Sequence, residues 1–187
     1  MFYGCTVLTG VTIPDGVNSI GYSTFCGCTG LTSIAIPERV TAIGDEAFKN
    51  CTGITDVVVS DSVTEIGYRA FEGCSSLTSI TLPFVGATKD GSKNTHFGYI
   101  FGAFHYGGNP TCVPSGLQTL IITGGTSIAD CAFYYCTGLT SIEMPNSMTS
   151  IGSRAFQSCS SITSIQFQGT ASQWDAVTKG NYWNEKT

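Results

Sequence analysis

Phe48-Lys-Asn-Cys51-Thr-Gly-Ile54-Thr-Asp-Val57-Val-Val59-Ser-Asp-Ser-Val63-Thr-Glu-Ile66-Gly67-Tyr-Arg-Ala70 is one turn of a pattern that restarts at Phe71, 23 residues after Phe48. The same Phe-x-x-Cys opening stands at Phe2/Cys5, Phe25/Cys28, Phe71/Cys74, Phe133/Cys136 and Phe156/Cys159. A fixed period of this length marks a stack of supersecondary units. One such unit cannot bury its apolar side alone and needs neighbours above and below.

Within each turn the large apolar residues keep their places. Leu8, Leu31, Ile54, Leu77, Leu139 and Ile162 share one phase, and Val11, Ile34, Val57, Ile80, Ile142 and Ile165 the next. Ile13, Ile36, Val59, Leu82, Met144 and Phe167 share a third. The last two phases lie two residues apart and are mostly β-branched, so they face one way along a short strand, as at residues 32–36 and 78–82. Pro14, Pro37, Pro83 and Pro145 follow at once, and a residue without an N–H suits a strand's end. Val17/Ile20, Val40/Ile43, Val63/Ile66 and Met148/Ile151 form a second extended run, closed by a glycine at 21, 44, 67 or 152. Those glycines are read as corners that need unusual backbone angles. Ala47, Ala70, Ala132 and Ala155 then enter a short helical turn ahead of each phenylalanine.

Composition excludes several classes of function. The chain has 187 residues, of which only 11% are charged, and a formal charge of −5 with no basic block. It lacks the electrostatic footprint of a nucleic-acid binder. No apolar run approaches the roughly 20 residues of a membrane span, and Met-Phe-Tyr-Gly-Cys5 is not a signal peptide or an anchor. Since the first residues already lie inside a repeat, the chain reads as a fragment of a longer protein.

The motif Ala-Phe-x-x-Cys-x-x-Leu-x-x-Ile-x-Ile-Pro-x-x-Val-x-x-Ile-Gly, matched at residues 24–46, 47–69 and 132–154, resembles the BspA-like leucine-rich repeats of bacterial surface proteins. The resemblance implies an α/β, β-rich, right-handed solenoid with a parallel sheet and short helical turns. It also implies an extracellular or cell-surface setting and a role in binding or adhesion rather than catalysis. About seven rungs are expected in one domain over 1–187, starting near residues 2, 25, 48, 71, 104, 133 and 156. The pattern fails at residues 84–116, read as an insertion, and at 168–187, read as a C-terminal cap carrying Trp174 and Trp183. The coil after the insertion is one residue short, Ile128 following Leu117 by 11 residues where 12 is usual. The first coil has no visible cap, and an open sheet edge invites self-association.

Nine cysteines are present. Six form a ladder in one phase. Stacked side chains nearly 5 Å apart are poorly placed for disulfides, which need Cβ atoms about 3.5–4.5 Å apart. A linear ladder does not converge on a metal either. These six are read as buried, reduced thiols, and Cys26, Cys112 and Cys131 as the exposed ones.

No nucleophile elbow or protease-type cysteine context accompanies His96 and His105, Asp90-Gly-Ser-Lys-Asn94 does not follow a calcium loop, and no cofactor is implied. The outward sheet positions, Gly10/Thr12, Ser33/Ala35, Asp56/Val58, Ser79/Thr81, Thr119/Ile121, Ser141/Glu143 and Ser164/Gln166, contain no Trp, Tyr or Arg, the residues that favour hot spots. Larger residues collect on the turn and in the insertion. The candidate binding surface is therefore Tyr68, Arg69, Phe97, Tyr99, Phe101, His105, Tyr106, Tyr134 and Tyr135. The function expected is a noncatalytic module binding a host or matrix protein. The alternatives are a carbohydrate-binding module using Trp174 and Trp183, or a structural spacer attached to a larger enzyme.

Overall fold

The computed structural model describes residues 2–185. Six four-residue strands, Ser33–Ile36, Asp56–Val59, Ser79–Leu82, Thr119–Ile122, Ser141–Met144 and Ser164–Phe167, lie side by side in chain order as one parallel sheet. Ile34, Val57, Ile80, Leu120, Ile142 and Ile165 are register partners in a single row. The row points inward, and all but the terminal Ile165 are buried. At about 4.8 Å per strand, five steps make a sheet on the order of 24 Å wide.

Seven rungs were expected, but the sheet has six strands. Residues 10–13 form no strand, although Ile13 is buried. Gly10 adds backbone entropy there and no side chain to hold a strand.

On the far side run two short parallel ladders. One joins Ser19–Ile20, Ala42–Ile43 and Glu65–Ile66, the other Ser127–Ile128, Ser150–Ile151 and Thr178–Lys179. Between them the chain crosses the opposite way. Thr88 pairs antiparallel with Glu65, the Ile66 N–H donates to the Ala87 carbonyl at 2.9 Å, and the Lys89 N–H donates to Thr64 at 3.0 Å.

The repeated turn is held by more than apolar filling. Phe2, Phe25, Phe48 and Phe71 stack with centroids 5.3, 5.3 and 5.4 Å apart, and Phe133 on Phe156 at 5.0 Å. The N–H groups of Phe25, Phe48 and Phe133 each donate to an alanine carbonyl of the next coil at 2.8 Å. The ladder thiols donate backwards, from Cys28 to the Phe2 carbonyl at 2.9 Å, Cys51 to Phe25 at 3.0 Å, Cys74 to Phe48 at 3.3 Å and Cys159 to Phe133 at 2.9 Å. Each is therefore a small apolar filler that also satisfies a buried carbonyl. Thr55 and Thr78 likewise donate from their hydroxyls to the threonine carbonyls of the coils before them, at 3.3 and 3.1 Å.

The corner glycines are required for a different reason from the one expected. Gly44, Gly67 and Gly152 are not in the left-handed region, which Glu46, Arg69, Cys131 and Arg154 occupy instead. A Cβ on Gly67 would lie 2.3 Å from the Asp45 nitrogen, and on Gly152 2.3 Å from the Asp130 nitrogen. Backbones pass too closely there for any side chain. The same aspartates accept from the coil above, Asp45 Oδ1 from the Tyr68 N–H at 2.7 Å and Asp130 Oδ1 from Ser153 at 2.6 Å.

Two further expectations are corrected. Cys26 is 7% exposed rather than solvent-facing, and burial, then the Glu46 charge, push its thiol pKa up. Phe104, taken to start a rung, points outward at 78% exposure, and Phe97 occupies the stack against Phe133 in its place. The short coil loses its residue between Ile122 and Thr126, where Gly125 turns in the left-handed region at φ 78°.

Gly67→Ala should cost about 1–3 kcal/mol by forcing backbone apart, while Gly10→Ala, which meets open space, should leave the urea midpoint unchanged. Native labelling with a thiol reagent should reach at most the partly exposed Cys5, Cys112 and Cys131, and unfolding should release all nine. Burial pushes the Cys51 and Cys159 thiols up to about 12. Because these folded values are raised, their contribution is full below the unfolded thiol value of 9.0 and is lost as pH rises towards about 12. Denaturation midpoints measured from pH 8 to 11 should fall accordingly.

Candidate functional site

The site is built where the period fails. After Leu82 the chain folds Phe84, Val85 and Ala87 into the core, then makes a 3-10 turn at Phe97–Phe101 in place of the missing turn. Phe97 packs 5.2 Å from Phe133 and 5.3 Å from Phe101. The backbone relay passes through this turn, with the Phe71 N–H donating to Ile100 and the Phe97 N–H to Ala132, each at 2.9 Å. Phe97 and Phe101 are fully buried, so these two candidates belong to the core and cannot contact a partner. Hydrophobic bridging of the gap claims their rings.

Two polar side chains anchor the loop, and neither was legible as an anchor. Asn109 is wholly buried; its Oδ1 accepts from the Gly98 N–H at 2.9 Å and its Nδ2 donates to the Ala132 carbonyl at 3.0 Å. His96 is buried as well, with Nε2 3.0 Å from the Ala103 carbonyl. A carbonyl only accepts, so Nε2–H donates, and burial holds the ring's pKa below its usual value.

Outside this framework the remaining rings form a row. Tyr68 packs 5.4 Å from Tyr99 and 5.2 Å from Phe104, and its hydroxyl donates to the Gly102 carbonyl at 2.7 Å. His105 then meets Tyr106 at 6.2 Å, Tyr106 meets Tyr134 at 5.5 Å, and Tyr134 meets Tyr135 at 4.7 Å. Seven of the nine candidates are thereby placed together, Arg69 included, since its guanidinium lies 4.9 Å from the Tyr68 ring centroid. The structure adds Phe104, which the period had disguised as a rung start. Its position next to His105 joins the two halves of the row.

A charged patch borders Tyr68. Lys49 Nζ lies 3.0 Å from Glu46 and 3.0 Å from Glu72, and Arg69 lies 3.7 and 3.6 Å from the same two carboxylates. Hydrogen bonding to Lys49 holds the Glu46 pKa below its usual value. The patch is neutral in sum.

Trp174 and Trp183 are occupied elsewhere. Trp183 meets Phe156 at 6.2 Å and Trp174 at 5.9 Å, Trp174 packs 5.3 Å from Phe167, and the Lys179 ammonium covers the Trp174 ring at 4.2 Å. The Phe156 N–H donates to the Trp183 carbonyl at 2.8 Å, so this segment takes the place of a next coil.

A family profile described as BspA type leucine-rich repeat region, in six copies, matches residues 1–90 and 115–177. The chain belongs to the BspA-type leucine-rich repeat family. This BspA-type chain is similar to three solved structures. A leucine-rich cell surface protein from Faecalibacterium prausnitzii is 30% identical, with 89% of this chain and 34% of that one covered and a TM-score of 0.44. A leucine-rich repeat protein from Bacteroides ovatus is 26% identical, covering 96% and 58%, with a TM-score of 0.40. One from T. pallidum is 23% identical, covering 96% and 63%, with a TM-score of 0.47. The chain thus spans about a third to under two thirds of these relatives' lengths. No curated protein matches it. The profile omits residues 91–114, the stretch that holds Tyr99, Phe104, His105 and Tyr106.

Asn109→Ala should orphan the buried Gly98 N–H at about 1–3 kcal/mol, while the Ala132 carbonyl keeps its bond from the Phe97 N–H. The lowered urea midpoint should come with new proteolytic cutting within residues 84–116.

Proposed function

We propose that this chain is a noncatalytic protein-binding module of a bacterial surface protein, and that it meets its partner through the aromatic row on the turn side. Phe104 is 78% exposed, Tyr106 47% and Tyr135 42%, and they adjoin the half-buried Tyr68, Tyr99 and Tyr134 in one patch. Contiguous exposed apolar surface of this kind marks interaction sites. Tyrosine and arginine are also the side chains that dominate binding energy. The sheet face offers no such group. Its outward residues are Ser, Thr, Ala, Asp, Val, Ile, Glu and Gln, and Val58 is the one exposed large apolar side chain among them.

The surface setting and a host or matrix protein as partner follow from the family and are part of this proposal. The carbohydrate reading is disfavoured because Trp174 and Trp183 pack on the last coil and on each other. Among the described residues no helix is long and apolar enough to cross a membrane.

The test is solid-phase binding to a panel of purified extracellular-matrix proteins. A Phe104→Ser/Tyr106→Ser/Tyr135→Ser variant with unchanged thermal midpoint should bind at least tenfold more weakly, about 1.4 kcal/mol. Val58→Glu should bind as the parent does. The reverse result, with Val58→Glu losing affinity and the triple variant keeping it, would move the site to the sheet.

A further inference from the structure

The coils do not stack equally closely all round. A Cβ built on Gly30, Gly53 or Gly138 would lie 2.4, 2.4 and 2.5 Å from a carbonyl oxygen of the preceding coil, whereas at Gly116, in the same phase, the nearest atom is the Leu77 oxygen at 3.9 Å. The strands on either side nevertheless stay paired, Ser79 with Thr119 and Leu82 with Ile122. Coils 71–82 and 110–122 are therefore joined at the sheet and splayed at the turn. The opening is a groove of about 450 Å³ with Gly73 and Ser75 on one wall and Phe101, Pro110, Cys112 and Pro114 on the other. That volume falls within the usual range of ligand sites, about 300–1,000 Å³.

One backbone donor records what is missing. In the phase two residues after each phenylalanine, the N–H donates to the next coil: Gly27 to Lys49 at 2.8 Å, Asn50 to Glu72 at 2.6 Å, Tyr135 to Gln157 at 2.9 Å and Ser158 to Glu185 at 3.1 Å. Gly73 holds the same left-handed conformation, φ 74° against 76° at Gly27, so its N–H is aimed the same way. Among the described residues it has no acceptor, and it opens onto the groove. Here the chain leaves the coil path at Gly102 and rejoins it after Cys112, so the acceptor strand is absent. Gly73 is exposed, so water serves this N–H in the free protein.

We infer that the groove binds an extended, uncharged segment of a partner polypeptide, which lies along the absent coil's path and accepts the Gly73 hydrogen bond with a main-chain carbonyl. Main-chain pairing supplies the directionality, as in other cases where a peptide completes an open backbone ladder. Pro110, Pro114 and Val113 favour an apolar segment. Glu72, the one charged group on the lining, is already neutralised by Lys49 and Arg69. This deepens the protein-binding reading, adding a second contact beside the aromatic row: Pro110 of the groove and Tyr135 of the row line one small cleft.

The experiment pans a phage-displayed library of random heptapeptides against the whole chain and synthesises the enriched sequences. Their binding should shift the Gly73 amide resonance, slow its hydrogen exchange at least tenfold and slow alkylation of Cys112 by N-ethylmaleimide at least fivefold. Thr111→Trp, which fills the groove from its rim, should abolish these effects in a protein whose remaining amide spectrum is unchanged. The triple aromatic variant should retain them. Failure to enrich any peptide, or enriched peptides that leave the Gly73 amide and Cys112 unaffected, would overturn the groove. Peptide binding lost in the triple variant but kept in Thr111→Trp would also overturn it while leaving the aromatic row as the partner site.

Discussion

Backbone contact between successive coils is the constraint on which everything else depends. At the corners the chains approach until a single Cβ on Gly67 or Gly152 would collide with the neighbouring backbone. At the turn each repeat phenylalanine N–H reaches a carbonyl of the next coil, and the Cys28, Cys51, Cys74 and Cys159 thiols reach one of the coil before. Such spacing leaves room for one kind of residue at each inward phase and at the corners, which is why those positions repeat so strictly. The apolar rows and stacked rings fill the interior, but the fixed separation of coils decides which side chains fit.

The repeat was legible because the demands of the fold recur. Phe48, Cys51, Ile54, Val57 and Val59 meet the same neighbours as their counterparts one coil away, so spacing alone reports their burial. Other features were hidden because their cause lies in the next coil and not in the residue. Cys26 occupies a phase filled elsewhere by Lys49 and Glu72, yet it is buried. The corner glycines looked like torsional necessities and proved to be steric ones. The thiol-to-carbonyl bonds could not be read from spacing, since a small apolar filler and a buried donor leave the same trace in a sequence.

The candidate site was half legible. Aromatic residues in the insertion could be counted, but their sorting into core and surface depended on which ring filled the gap beneath Phe133. Phe97 took that place, and Phe104, with the more regular-looking context, was left outside. Asn109 made the sorting possible by carrying two backbone bonds that a regular coil would have supplied itself. A lone asparagine in a loop gives no periodic signal. The same break in the pattern thus provides the exposed rings, the buried anchor and the splayed groove.

The uniform faces of the regular coils bear on how such a chain changes over generations. Each regular coil presents the same pattern of donors and acceptors to the coil above and the complementary pattern to the coil below, so a whole 23-residue unit can be duplicated or deleted in frame without a new junction having to be invented. Residues 84–116 lack that interchangeability, because their anchors act within the stretch itself, His96 on Ala103 and Asn109 on Gly98. Unequal crossing-over can therefore tune the length of the array freely on either side, while the stretch that carries the distinctive chemistry is inherited as a single piece.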